Sequence, residues 1–465
     1  MSHPSEHPTP ASIAGRFPAG FQFGASTSAY QIEGAVDEDG RGSSIWDVFS
    51  HTPGRVARGE NGDVAVDHYH RWEEDIALMG ELGLDAYSLT VAWPRIVPDG
   101  DGEVEPRGLA FYRRLVDGLR DAGIEPLVTL YHWDLPQSLQ DRGGWSNRAT
   151  VDAFVRYARI VHAELGDAVS TWKTVNEPWC AAFLGHGSGE HAPGITDPRT
   201  AWRAAHHLLL AHGDAIAAMR EQADDTHRFG FVPNLYGIVP ASDSAEDREA
   251  AATIELLQNG VWLEATLEGH YPDAARDIFR RFWADDAILD GDLERIAQPL
   301  DLLGINYYTR YHVHAGQGDE PVGSSFPGAD HVVFDPPPGP QTEMGWGIEP
   351  DGLRELLLGL HERYALPPVL ICENGAAFDD VVDEHGEVED RNRVAFLADH
   401  LWALADAIDA GVDVRGYFVW SLLDNFEWAH GYDKRFGIVR VDPDTLDRRT
   451  KASGRWYREV IAAHG

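Results

Sequence analysis

Two cysteines in 465 residues, Cys180 and Cys372, cannot make a disulfide framework, and the chain reads as one kept reduced, in the cytoplasm. No apolar run approaches the roughly 20 residues of a membrane-spanning helix. The opening stretch is rich in Pro, Ser and His and has no apolar core, so neither signal peptide nor anchor is expected there; residues 1–16 read as a disordered tail. Positive charge is scarce: 38 basic side chains face 76 acidic ones, a formal net charge of -38. Such a field repels phosphate backbones and anionic membrane surfaces, which excludes nucleic acid and membrane as partners. It does not argue for an acidic substrate; a solvated, aggregation-resistant surface accounts for it. Cofactor signals also fail. Gly185-His186-Gly187 lacks the third glycine and the strand-turn-helix setting of a dinucleotide fingerprint. Asp67-His68-Tyr69-His70 lacks further spaced metal ligands and reads as the entry to a helix. No serine sits in a nucleophile elbow. Neither metal nor cofactor is expected.

What the chain does have is apolar material, 43% of its residues, arranged in alternating short and long segments. Residues 21–25, 86–90, 126–130, 171–176, 229–232, 302–306, 369–372 and 414–419 are short apolar runs of the kind that forms parallel strands buried on both faces. Helix-period segments fall between them at 108–122, 150–165, 200–223, 350–364 and 392–410. Eight strands with intervening helices predict an α/β fold, a (β/α)8 TIM barrel with extended loops at its C-terminal face, over a single domain at 17–465. A doubly wound open sheet shares the same periodicity and stays open on this ground alone. Residues 315–340, Gly/Pro-rich, and 378–390, acidic, read as long rim loops.

In such a barrel the chemistry lies where strands end. Two predicted strands end on a glutamate, Thr174-Val175-Asn176-Glu177-Pro178 and Leu370-Ile371-Cys372-Glu373-Asn374-Gly375. Taken singly, the first is compatible with a helix-start turn and the second with a hairpin turn pair. As a pair at strands four and seven they suit glycosidic bond cleavage, which needs a proton donor for the leaving oxygen and a partner for the cationic sugar carbon. Aromatic and amide groups share the rim: His132 and Trp133 after strand three, Asn306 and Tyr308 at strand six, Trp420 at strand eight, and Glu427 with Trp428 beyond it. A tryptophan-rich core is the alternative account of these rings. Cys372, next to Glu373, is expected to point oppositely, into the layer between barrel and helices, as a buried structural thiol.

Together with Phe23-Gly24-Ala25-Ser26, Tyr30-Gln31-Ile32-Glu33-Gly34, Trp93-Pro94-Arg95, His132-Trp133-Asp134-Leu135-Pro136 and Gly431-Tyr432-Asp433-Lys434-Arg435-Phe436-Gly437, these segments resemble the family 1 glycoside hydrolases, the bacterial β-glucosidase group, from about Phe17 to Tyr457. The resemblance implies hydrolysis of terminal β-D-glucosyl residues with retention, with β-galactosidase or β-fucosidase side activity on small β-glycosides or oligosaccharides. It implies Glu177 as acid/base and Glu373 as nucleophile, Tyr308 as a hydrogen-bond donor to the nucleophile, and Asn176 on the sugar 2-hydroxyl. Gln31, His132 and Glu427 would bind the other glycone hydroxyls, with Asn306 among the substrate-binding groups. Trp420 would be the stacking platform, Trp428 a hydroxyl contact and Trp346 part of the aglycone side. One departure stands out: the family has an arginine beside the nucleophile on strand two, where this chain has Ser88. Either another cation, for which Arg310 is the candidate, takes its place, or the nucleophile titrates higher. The rival reading that this motivates is a sugar-binding pseudoenzyme or a weak hydrolase. A phosphoglycosidase is disfavoured by Glu427, whose carboxylate would repel a sugar phosphate, and a thioglycosidase by the presence of Glu177.

Overall fold

The computed structural model describes residues 8–318 and 322–465. Eight parallel strands close into a barrel: β1 (Gln22–Ser26), β2 (Ala86–Thr90), β3 (Glu125–Tyr131), β4 (Thr171–Asn176), β5 (Arg228–Val232), β6 (Leu302–Asn306), β7 (Val369–Asn374) and β8 (Val414–Trp420). Each strand pairs with its neighbours in chain order, and β1 closes the ring by pairing with β2 and β8 through Ser26↔Ser88 and Ser26↔Trp420. Closure rules out the open doubly wound sheet. The apolar runs are continuous because the strands are covered on both sides. Ala86, Leu127, Val232, Leu302, Leu370, Cys372 and Phe418 fill the interior as one cluster. The opposite residues pack under the outer helices, which include α1 (His68–Leu82), α2 (Pro106–Asp121), α3 (Ala149–Leu165), α4 (Pro198–Arg220), α5 (Ala245–Glu255), α6 (Pro350–Arg363), α7 (Arg391–Asp409) and α8 (Ala452–His464). Among the described residues no helix is long and apolar enough to cross a membrane.

Three expectations need correcting. The tail is shorter than 1–16, because Pro10–Ala14 form a helical turn, capped by the Thr9 side chain, that buries Ile13 and Ala14. Two adjacent apolar residues behind a Thr-Pro cap suffice to dock it; residues 1–7 lie outside the described residues. The 315–340 stretch is not all loop. Val332–Asp335 pair antiparallel with Arg310–Ala315, which pair in turn with Gly237–Pro240, making a small sheet over the barrel rim. Glycines and prolines around it mask that short strand, and 319–321 lie outside the described residues. Cys372, finally, faces the barrel interior with Leu370, two residues before it. Alternation would then send Glu373 outward, but β7 slips register against β6 between Ile371 and Glu373, and this slip re-aims the glutamate.

Candidate active site

The strand ends deliver both glutamates to one cavity of ≈470 Å³ at the C-terminal mouth. The Glu177 backbone N–H donates to Val232 O at 2.7 Å, anchoring the end of β4 on β5. Glu373 is held by its own carbonyl, which accepts from Tyr307 N at 2.9 Å, and by Asn374, whose amide donates to Tyr307 O and accepts from Tyr417 Oη, each at 2.7 Å. Gly375 follows because nothing larger fits: a Cβ there would lie 1.7 Å from Trp420 O. Glu177, Trp133 and Trp428 all adopt left-handed backbone, with φ of 45°, 75° and 52°. Such strain in non-glycine residues gathers where surrounding structure fixes functional geometry.

Both carboxyls are buried, 5% exposed for Glu177 and 6% for Glu373. Glu177 accepts from Asn306 Nδ2 at 2.7 Å and from the Cys180 thiol at 3.0 Å. Glu373 accepts from Tyr308 Oη at 2.7 Å. Burial raises the pKa of each, and repulsion by Glu177 drives Glu373 further up; Tyr308, the Lys173 ammonium and Asn306 oppose that rise at Glu373. Two buried carboxyls that repel one another in this way titrate as a pair and not as independent acids. The Cys180 thiol is pushed well up by burial and by Glu177, so it stays protonated and donates.

A second layer fixes the first. Asn306 Nδ2 also donates to Asn176 Oδ1 at 3.1 Å, and Asn176 Nδ2 donates to His132 Nε2 at 3.2 Å. Burial, assisted by the Lys173 charge, lowers His132 to about 3, so the ring is neutral and can accept. Glu427 is buried and pushed up to about 8 by burial and by Glu177, with a Gln31 hydrogen bond opposing, and its Oε2 has no protein partner. Trp428 packs 4.5 Å from Trp46 and 4.6 Å from Trp133, and His132 lies between Trp133 and Trp420. Of the expected site residues, Glu177, Glu373, Tyr308, His132, Trp346, Trp420, Glu427 and Trp428 line the cavity. Asn176, Asn306 and Gln31 stand behind the wall. Gln31 is fully buried, its amide donating to Asn425 Oδ1 and Phe426 O while accepting from Ser28.

Arg310 does not join them. Its guanidinium pairs with Glu355 at 2.9 Å and lies 3.9 Å from Glu349, so it is not the cation behind Glu373. The residue that stands there is Lys173, its Nζ donating to Ser88 Oγ at 2.5 Å. The sequence reading also missed Cys180 and Trp179, which begin a π-helical segment at Cys180–Ser188, and the apolar outer wall of Tyr311, Phe326 and Phe334. A single charged residue within a buried barrel strand is the one signal available for Lys173.

A (β/α)8 barrel whose mouth holds two buried, electrostatically coupled carboxyls among stacked indoles and amides is the architecture of a glycoside hydrolase. Comparison with known proteins narrows this. The model of glycosyl hydrolase family 1 matches residues 13–465, and the chain belongs to that family of retaining enzymes. It is 47% identical to β-glucosidase A of Acetivibrio thermocellus over 97% of this chain and 99% of that one. It is 46% identical to a bifunctional β-D-glucosidase/β-D-fucosidase of Bifidobacterium breve, covering 96% and 98%. The crystal structure of the psychrophilic β-glucosidase BglU from Micrococcus antarcticus superimposes with a TM-score of 0.93 at 46% identity, covering 99% of each chain.

Proposed function

We propose that this chain is a β-glucosidase in which Glu177 is the acid/base and Glu373 the nucleophile. The observation that carries the assignment is the asymmetry of the two carboxyls. Glu373 has the Tyr308 phenol and Lys173 on its side; Glu177 has the Cys180 thiol and the Asn306 amide. We place the proton on Glu177, since the groups that favour ionisation, the Tyr308 phenol and the Lys173 side chain, stand with Glu373 and oppose the rise that burial and Glu177 impose on it. Glu373 attacks the anomeric carbon while Glu177 protonates the departing oxygen; Glu177, now ionised, deprotonates the water that releases the sugar with its configuration retained. Asn176 is poised for the 2-hydroxyl, and Glu427, with a free buried oxygen, for two further hydroxyls beside Gln31 and His132. Trp420 supplies the stacking face, Trp428 a hydroxyl contact, and Trp346 the aglycone side.

The substrate is a small β-glucoside or oligosaccharide, and the Bifidobacterium relative supports β-fucoside cleavage as a side activity. One catalytic domain runs to residue 465 and takes in the docked turn at Pro10–Ala14. Both cysteines are free and buried, which suits a reducing compartment, the cytoplasm. The pseudoenzyme alternative loses its motive once a cation stands beside Ser88. The test is a pair of variants assayed on aryl glucosides of graded leaving-group acidity. Glu177→Ala should slow poor leaving groups by about 10²–10⁴-fold and spare good ones. Glu373→Ala should abolish all hydrolysis, with azide restoring a product of inverted configuration. Equal losses across leaving groups for Glu177→Ala would overturn the roles.

A further inference from the structure

We infer that Lys173 is the positioning cation of the nucleophile, a lysine on β4 whose ammonium crosses the barrel interior to Ser88 on β2 and favours the ionised form of Glu373. The inference rests on Glu373 being the nucleophile. Along β4 the neighbours of Lys173 face the helices: Trp172 packs on His162 of α3, and Thr174 bonds His212 of α4. Lys173 itself turns inward, 1% exposed, at the level of the interior cluster that contains Cys372. The chain has three lysines, Lys173, Lys434 and Lys451, among its 38 basic side chains, so it uses lysine sparingly.

The other buried lysine shows what an ordinary structural ammonium looks like here. Lys451 pairs directly with Asp380 and Asp424. Among the described residues Lys173 has no carboxylate within salt-bridge distance; its hydrogen-bond partner is the neutral Ser88 hydroxyl. An ammonium in that setting is costly to bury. Burial lowers the pKa of Lys173, and the Glu373 carboxylate next to Cys372 opposes that fall. The groups facing Glu373 are Glu177 from β4, Asn306 and Tyr308 from the end of β6, Glu427 beyond β8, neutral His132 after β3, and Lys173. Among these described groups Lys173 is the one lysine or arginine, and it opposes the rise that burial and Glu177 impose on Glu373. Ser88 fits the same account: a small hydroxyl on β2 leaves room for the ammonium and accepts one of its hydrogens.

The pH dependence of kcat/KM on one aryl glucoside tests this. Activity needs Glu373 ionised, so its acidic limb follows Glu373. Removing a nearby cation raises a carboxyl pKa, by about 1–3 units for close pairs. Lys173→Met should therefore move the acidic limb upward by about one unit or more, with a larger loss at pH 5 than at pH 8. Returning the charge from the other strand, in Lys173→Met/Ser88→Lys, should move it back. A folded, active Lys173→Met with an unmoved limb would overturn the inference. A measurement that leaves Lys173 in place covers the case in which the Lys173 variants fail to fold. With 15N-lysine there are three side-chain nitrogens to observe. The one perturbed by Ser88→Ala should titrate in step with the acidic limb, and should shift when a 2-deoxy-2-fluoroglucoside esterifies Glu373. Indifference to both would also overturn it. Failure of azide to rescue Glu373→Ala would instead count against the nucleophile itself, whatever Lys173 does.

Discussion

Glu427 carries a carboxyl at about 8 in the folded chain, against about 4.3 for an unperturbed glutamate. Between those values the folded state keeps a proton that the unfolded state has released. Stability is therefore highest below the lower value and falls as pH rises toward 8. Glu427→Gln removes that dependence, so its gain in Tm over wild type should be small near pH 5 and larger at pH 8, by on the order of 2 °C or more. Equal gains at both pH values would show that the carboxyl is ionised when the sugar is absent. The same variant should lower kcat/KM on glucosides, since each lost hydrogen bond of a neutral carboxyl costs about 0.5–1.5 kcal/mol. At this scale much of the site is legible in sequence: a glutamate at the end of an apolar run, followed by Asn-Gly or preceded by Asn, announces a polar group that a buried strand has no structural use for. Lys173 is less legible, because one charged residue in Thr171-Trp172-Lys173-Thr174-Val175 is absorbed by any strand pattern. Its partner Ser88 is 85 residues away, and only barrel closure brings the two together.

The barrel strands are the elements easiest to find, since burial on both faces writes them as uninterrupted apolar runs. Three of the eight, Ala86–Thr90, Thr171–Asn176 and Leu302–Asn306, coincide with the expected limits. The strand at 332–335 escapes because it covers the rim with one face in solvent, and prolines and glycines surround it. The register slip in β7 is equally hidden, as nothing in Ile371-Cys372-Glu373 marks a break in alternation. That slip makes the end of β7 intolerant of bulk. Gly375→Ala would drive a methyl into the Trp420 carbonyl, displacing either the nucleophile strand or the stacking indole. A shift of about 1 Å at reacting groups costs on the order of 100-fold. A loss of that size in kcat/KM is expected, and an active enzyme with unchanged kinetics would mean that the loop relaxes elsewhere.

For the molecule as a whole, a net charge of -38 means self-repulsion that a folded chain bears more heavily than an expanded one. Added salt shortens the screening length from about 10 Å at 0.1 M to about 3 Å at 1 M. The Tm should accordingly rise between 0.05 and 1 M NaCl at neutral pH, and a flat or falling Tm would show that the surface ion pairs outweigh the repulsion. The basic side chains that balance this charge are almost all arginines, and of the three lysines two are sealed inside the barrel assembly. Lys434, whose ammonium donates to Glu343 O at 2.6 Å, is the lysine left within reach of solvent. An acylating reagent, which ordinarily decorates a protein with a spread of lysine adducts, should find one lysine to modify on the native fold. Peptide mapping of the conjugate would show a single labelled lysine, two residues before Phe436 in the cavity wall. A dye or tether placed there would report from the mouth of the active site.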